Sequence, residues 1–304
     1  MFSLTNNELR AIQALSVEGL TIKEIGERIG VSRRAASNIV HTLRDRRLID
    51  YSGARNSMAR LSGRPHADAL RWFILEGTRP IELLAGGKLL VLLSIYRHAK
   101  TAERISLETG LKISSVERFL RELSTYGLIM TEKGRYRLPT SDPMSPVLTS
   151  YAKGSCQAMM EDIAPGGILI WHGGLEFILS AEVISDNRCA HLTGLSAMGN
   201  YGLKFFTPRC EYRYDRWCGA PSAVTAALDI LLAKPDSKES IRYALLLLSR
   251  ERVDLSAFEA EARNYGLYRE AGAISEFLSG RVVEEEWFPH EKDIFQLLEP
   301  YGVR

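Results

Sequence analysis

Residues 21–49, TIKEIGERIGVSRRAASNIVHTLRDRRLI, carry a short helix, a glycine turn and a second helix, and the layout returns at 101–129. Thr21 is placed to cap the first helix, with Glu24 three residues on as its reciprocal partner. Ile22, Ile25 and Ile29 repeat at helical spacing and so supply one apolar face. Gly30 provides the left-handed residue that a sharp turn needs. Ser32 caps the second helix, whose inward positions are Ala36, Val40 and Leu43. Arg33, Arg34, Ser37, Asn38, His41 and Arg44 are left facing outward. This is a helix-turn-helix pattern, and its outward face has the chemistry of a duplex reader. Arg pairs bidentately with guanine, Asn with adenine, and Ser with base or phosphate.

A preceding helix over residues 7–15 and the closing pair Leu48 and Ile49 complete a three-helix module. DYSGARNSMARLS then reads as a hairpin-like wing carrying Tyr51, Arg55 and Arg60. Arg33, Arg34, Ser37, Asn38 and His41 are expected to approach bases. Arg44, Arg46, Arg47, Arg55 and Arg60 are expected to hold phosphates or to sit in the wing. In the second copy, GKLLVLLSIYRHA (87–99) and TAERISLETG give the first two helices, the latter capped at Thr101. After a turn at residues 111–112, SSVERFLRELSTYGLI buries Val116, Phe119, Leu120 and Leu123, and TEKGRYRL reads as two strands turning at Lys133 and Gly134. The outward face here is mixed in sign, because Glu117 and Glu122 flank Arg118 and Arg121. Ser114, Ser115, Arg118, Arg121 and Lys133 are its candidate DNA contacts. Packing or dimerisation is the other use open to this module.

The chain of 304 residues is 45% hydrophobic and 25% charged, a globular composition with room for two or three domains. Its formal net charge of +2 is unevenly spread. Residues 1–64 hold 11 Lys and Arg against 6 Asp and Glu, residues 65–139 hold 12 against 8, and the remainder holds 16 against 23. Basic charge ends where the helix-turn-helix patterns end, so the footprint for a polyanion lies in the N-terminal half. The start, MFSLTNNELR, lacks a basic segment followed by an apolar core, so no secretory signal is expected. No apolar run approaches the ~18–20 residues that cross a bilayer. A cytoplasmic protein with no membrane partner is the expectation. Cysteines at 156, 189, 210 and 218 form no CxxC pair and read as reduced thiols. A zinc site from Cys189, His191, Cys210 and Cys218 matches no familiar ligand spacing, and neither a metal nor a cofactor is expected.

Residues 63–80, GRPHADALRWFILEGTRP, read as a helical connector with Leu70, Phe73 and Ile74 on one side. PTSDPMSPVLTS has three prolines in twelve residues and reads as a linker. The expected organisation is a first winged helix (1–62), the connector (63–80), a second winged helix (81–139), a linker (140–150) and a C-terminal domain (151–304). In the last, GGILIWHGG and LEFILSAEVIS contain strand-like apolar runs, and CEYRYDRW alternates aromatic and charged residues as an exposed strand does. HLTGLSAMGNYGLKFFTP reads as a helix around residues 195–198 and then a turn, and the sequence beyond Pro221 is helical. The fold class is mainly α within α+β: tandem winged helix-turn-helix domains, then a domain with a small sheet and a helical bundle. Trp171, Phe205, Phe206, Tyr212, Tyr214 and Trp217 either belong to that domain's core or line a small-molecule site.

HLTGLSAMGNYGL, EYRYDR and IRYALLLLSRER together resemble the C-terminal domain of abortive-infection type antitoxin regulators, over roughly residues 165–300. The resemblance implies a winged helix joined to a domain related to a degraded nucleotidyltransferase fold, repressing its own or a neighbouring operon. A working nucleotidyltransferase needs a glycine turn followed by two carboxylates one residue apart to hold Mg²⁺. Gly173 and Gly174 supply a turn, but two residues after Glu182, Asp186 and Glu211 stand Ile184, Arg188 and Arg213. Neither a Gly-x-Ser-x-Gly elbow nor a Gly-Lys-Ser/Thr phosphate loop is present, and no enzyme is expected. The expectation is a sequence-specific regulator, a repressor and homodimer on double-stranded DNA, whose C-terminal domain takes a protein partner or a small-molecule effector. The alternative is a non-enzymatic antitoxin or scaffold that uses its winged helices for protein contacts.

Overall fold

Side chains that can cap a helix set where the first three helices begin. In the computed structural model, which describes residues 2–54, 57–185 and 187–302, α1 (Asn6–Leu15) starts at Thr5. There the Glu8 carboxylate accepts from the Thr5 amide at 2.6 Å, and the Glu8 amide donates back to Thr5 Oγ1. After β1 (Leu20–Thr21), α2 (Ile22–Ile29) repeats that reciprocal cap with Thr21 and Glu24 and ends at Gly30, φ 74°. Helix α3 (Arg33–Asp45) is capped by Ser32. Leu9, Ile12, Ile25, Val40 and Leu43 are almost wholly buried where the three meet, each worth about 1.5–3 kcal/mol. Strands β2 (Ile49–Asp50) and β3 (Met58–Leu61) follow, and the sheet runs β1-β3-β2. Strand β1 leaves no trace in the sequence, because two residues cannot display an alternation.

Helix α4 (Pro65–Glu76) has Pro65 in its first turn, where no amide is needed, and buries His66, Ala67, Leu70, Phe73 and Ile74. Its His66 ring lies 3.2 Å from the Arg46 carbonyl, tying the connector to the end of α3. Helices α5 (Gly86–Ile95), α6 (Ala102–Thr109) and α7 (Ile113–Thr125) each begin and end 80 residues after α1, α2 and α3. The wing strands β4 (Met130–Glu132) and β5 (Arg135–Arg137) turn through Lys133, φ 49°, and Gly134, φ 75°. Two central residues at positive φ make a tight primed hairpin turn. Lys100 bridges Tyr136 in the place that β1 holds in the first copy. The copies are joined at Leu4, which bridges Ala85 and accepts from the Gly86 amide at 2.7 Å.

Helix α8 (Met144–Ile163) begins inside the stretch expected as a linker. Asp142 makes that start possible: it is held bidentately by Arg79 at 2.8 and 2.9 Å and accepts from the Met144 amide. Pro146 falls in the first turn, where proline is tolerated. The chain divides into two compact units, one of residues up to Met159 with Gly173–Leu175, the other of Met160–His172 with residues from Glu176 onward.

The C-terminal unit holds an antiparallel sheet of β6 (Ile168–His172), β7 (Glu176–Ala181), β8 (Ala190–Leu192) and β9 (Cys210–Asp215) in the order β6-β7-β9-β8. Helices α9 (Ala223–Ala233), α10 (Lys238–Glu251), α11 (Leu255–Ala262), α12 (Tyr268–Leu278) and α13 (Glu291–Leu298) follow. Leu228, Leu245, Phe258 and Ile274 sit in their common core. The protein is thus α+β, mainly helical with small sheets. Among the described residues, no helix is long and apolar enough to cross a membrane.

The structure departs from the sequence expectations of this unit in three places. EYRYDR is not an exposed strand: β9 pairs on both edges, and Arg213 is 4% exposed. Its guanidinium pairs with Asp229 and Glu176 and donates to the Tyr265 hydroxyl at 2.8 Å. Burial pushes the Asp229 carboxyl up to about 6, against the pull of Arg213. The charge at this position is interior because β7 and α9 bring its carboxylates. Second, Cys189 and Cys218 are not reduced thiols but a disulfide, while Cys156 and Cys210 remain outside any disulfide. The Asp215 amide donates to the Cys189 carbonyl, so Cys189 lies at the opposite end of β9 from Cys210 and the four-ligand zinc set does not assemble. Third, the six aromatics do not share a site. Trp171 packs edge-on against Tyr265, Phe205 against Tyr243, and Tyr214 stacks on Phe177, while Phe206 is 95% exposed.

Candidate nucleic-acid interface

Helix α3 turns its polar side to solvent because Ala36, Val40 and Leu43 occupy the other side completely. Arg33, Arg34, Asn38 and Arg44 are exposed, and Ser37 and His41 half-buried. Together they form one continuous strip along a 13-residue helix. Arg33 and Arg34, in the turn after the Ser32 cap, make no hydrogen bond or ion pair with the described residues. Other cations of the module are engaged: Lys23 with Glu27 at 3.8 Å, Arg28 with Glu18 at 2.9 Å, and Arg44 with Asp45 at 3.1 Å. An unpaired guanidinium gives up no partner on meeting an anion. The positive end of the helix dipole adds to its field. His41 meets the Tyr51 ring edge-on at 5.9 Å, which fixes the start of the wing beside the helix.

The arginines around this strip divide. Arg60 is exposed on β3 and lies across Gly19: a Cβ there would come within 2.8 Å of its Cγ. Arg47 is half-buried and takes φ 58°, where the second copy has Gly127 at φ 67°. Arg46, expected at phosphate, faces inward instead. Its Nη1 donates to the Ser3 carbonyl at 2.6 Å and lies 3.4 Å from Glu8, joining the end of α3 to the capped start of α1. Arg55 falls outside the described residues.

The second copy keeps the geometry and changes the chemistry. Ile113 and Ser114 stand where Arg33 and Arg34 stand in the first, and Ile113 and Leu107 are 40% and 69% exposed. Ser114, Arg118, Arg121 and Lys133 are exposed and Ser115 half-buried. Arg118 lies over the Phe119 ring at 4.9 Å, and Arg121 Nε reaches the Glu117 carbonyl at 3.4 Å. Phe119, expected in the core, is half-buried against Gly87. Glu122 pairs with Lys88 at 2.7 Å, while Lys100 and Arg104 close on Glu108. Lys88, Lys100 and Arg104 are therefore satisfied within the module, while Lys133 stands exposed at the wing turn.

No curated protein and no solved structure matches the chain. Residues 2–56 match the MarR family, a stretch that spans α1, α2, α3 and β2 and stops before the second copy. With a cationic helix displayed on a winged frame, that match supports a DNA-binding transcriptional regulator.

Proposed function

We propose that the protein is a sequence-specific repressor that binds double-stranded DNA as a homodimer, reads its operator through α3, and has no catalytic activity. The C-terminal unit receives the regulating signal, as a protein partner or a small molecule. The observation that carries the reading is the pair Arg33 and Arg34, displayed without partners among the described residues at the start of a helix whose other face is buried. The motifs that resemble those of abortive-infection antitoxin regulators support repression of the protein's own or a neighbouring operon. Exposed Ile113 and Leu107 favour a second use for the second module, binding to protein, as in an antitoxin or scaffold.

Selection of bound duplexes from a random library by the full chain tests the first part. A discrete consensus is expected. Arg33→Ala with Arg34→Ala should weaken binding to it by about 1–3 kcal/mol for each base that the arginines read. For each phosphate that they neutralise, the salt slope should become shallower by about 0.9. No enrichment, or a double variant indistinguishable from the parent at every salt concentration, removes α3 as the reader. A reporter placed behind the consensus should fall when the protein is expressed; a rise makes it an activator.

A further inference from the structure

Between the C-terminal parts of α10 and α12 and the helix α13 lies a cavity of about 260 Å³. None of the six aromatics singled out in the sequence lines it. Its wall is a different set: Phe277, with ring centroids 5.8 Å from Phe288 and 6.0 Å from Phe295. Val282 and Phe295, also in the lining, are 75% and 49% exposed, so the mouth is apolar as well. In the same wall is Ser249, whose Oγ is buried and has no hydrogen-bond partner among the described residues. A buried hydroxyl left unsatisfied costs about 1–3 kcal/mol, which a ligand oxygen would remove. The charged groups in the lining, Arg281 and Glu291, are opposite in sign, and Arg281 faces Glu276 at 3.9 Å. Such a wall offers no net charge to hold an ion.

We propose that this cavity binds a small uncharged molecule with an apolar or aromatic body, whose carbonyl or hydroxyl oxygen accepts a hydrogen bond from Ser249 once that side chain turns its hydroxyl into the cavity. The proposal rests on the reading of the C-terminal unit as receiver of a small-molecule signal, and it names the place and the chemistry. The volume lies below the ~300–1,000 Å³ of sites for drug-sized ligands, which limits the occupant to about one ring or a short chain.

Three probes of similar shape test it on the full-length protein by methyl NMR at Leu278, Val282, Val283 and Leu298: acetophenone, ethylbenzene and benzoate. Acetophenone should give saturable shifts, ethylbenzene about tenfold weaker ones for want of the oxygen, and benzoate none. Ser249→Ala should erase the tenfold preference and leave ethylbenzene binding unchanged. The absence of saturable acetophenone shifts, equal binding of acetophenone and ethylbenzene by the parent protein, or tighter binding of benzoate each overturns the proposal. These parent-protein comparisons stand even if the variant fails to fold. Affinity for the selected duplex, measured with and without acetophenone, separates the two readings. Probe binding with unchanged DNA affinity refutes the signal-receiving role and leaves the cavity site in place. Failure of the probe to bind refutes the cavity site and leaves DNA binding in place.

Discussion

Replacing Arg46 by alanine distinguishes a guanidinium that builds the module from one that meets DNA. The side chain is 17% exposed, its partner Glu8 is 6% exposed, and it also donates to the Ser3 carbonyl. An exposed ion pair contributes about 0–1 kcal/mol, and removing one member of a fully buried pair costs about 3–5 kcal/mol. Glu8 keeps its hydrogen bond from the Thr5 amide, so it is not stranded, and the destabilisation should lie between those limits, at about 2–3 kcal/mol. Hydrogen exchange of the full chain reads this locally. If amides in α1 and α3 exchange through opening of the module, Arg46→Ala should speed them about 30- to 150-fold. DNA affinity measured across salt concentrations should keep its slope, because this guanidinium faces away from the strip on α3. Unchanged protection, together with a slope shallower by about 0.9, would mean that Arg46 reaches phosphate and that its inward placement is wrong.

The second module should matter less to DNA than the first. Arg118→Ala with Arg121→Ala should weaken duplex binding less than tenfold and less than Arg33→Ala with Arg34→Ala, and an equal or larger effect by fluorescence anisotropy would reverse that ranking. Acid should destabilise the N-terminal unit. Burial, reinforced by Lys100 and Arg97, pushes His98 down to about 4, and burial also lowers His66. The folded His98 ring stays neutral well below the pH at which an unfolded chain protonates, near 6.5. Its stabilisation is therefore complete above about pH 6.5 and falls away toward pH 4, and His66 acts in the same direction. His98→Gln should flatten the drop in melting temperature between pH 7 and 5, and a drop as steep as the parent's would refute the assignment. Gly154→Ala sets two effects against each other. Alanine gains about 1 kcal/mol of helix propensity, but its Cβ would meet buried His66 at 2.5 Å. The clash should win by about 1–3 kcal/mol, and a higher melting temperature would show that α8 has room to shift.

How much of the molecule is legible in the sequence follows from the range of the interactions. Helices α2 and α6, 80 residues apart, are readable because a capping threonine (Thr21, Thr101), an apolar period and a terminating glycine (Gly30, Gly110) all lie within about a dozen residues. The wing turn at Lys133 and Gly134 is readable for the same reason. Arg46 reads as a phosphate ligand because its true partners stand 43 and 38 residues away. Cys189 and Cys218 read as thiols because their meeting needs β8 and β9 to pair first. Arg213 reads as a solvent-facing residue because alternation gives a side chain's direction along a strand, not what covers that face. The phenylalanine-lined cavity is invisible in the sequence for a related reason. Phe277, Phe288 and Phe295 belong to α12, the segment after it and α13, and no period connects them.

Arg47 and Gly127 occupy equivalent left-handed positions, and only one of them is suited to it. A side chain in that basin costs about 1–2 kcal/mol, so the leading domain carries a handicap its twin does not. Exchanging Arg47 for glycine would remove that cost together with one positive group beside α3, and the melting temperature reads how far the interactions that Arg47 makes in the fold offset the gain. Any programme to thermostabilise this regulator should therefore score DNA affinity alongside melting temperature at that single codon.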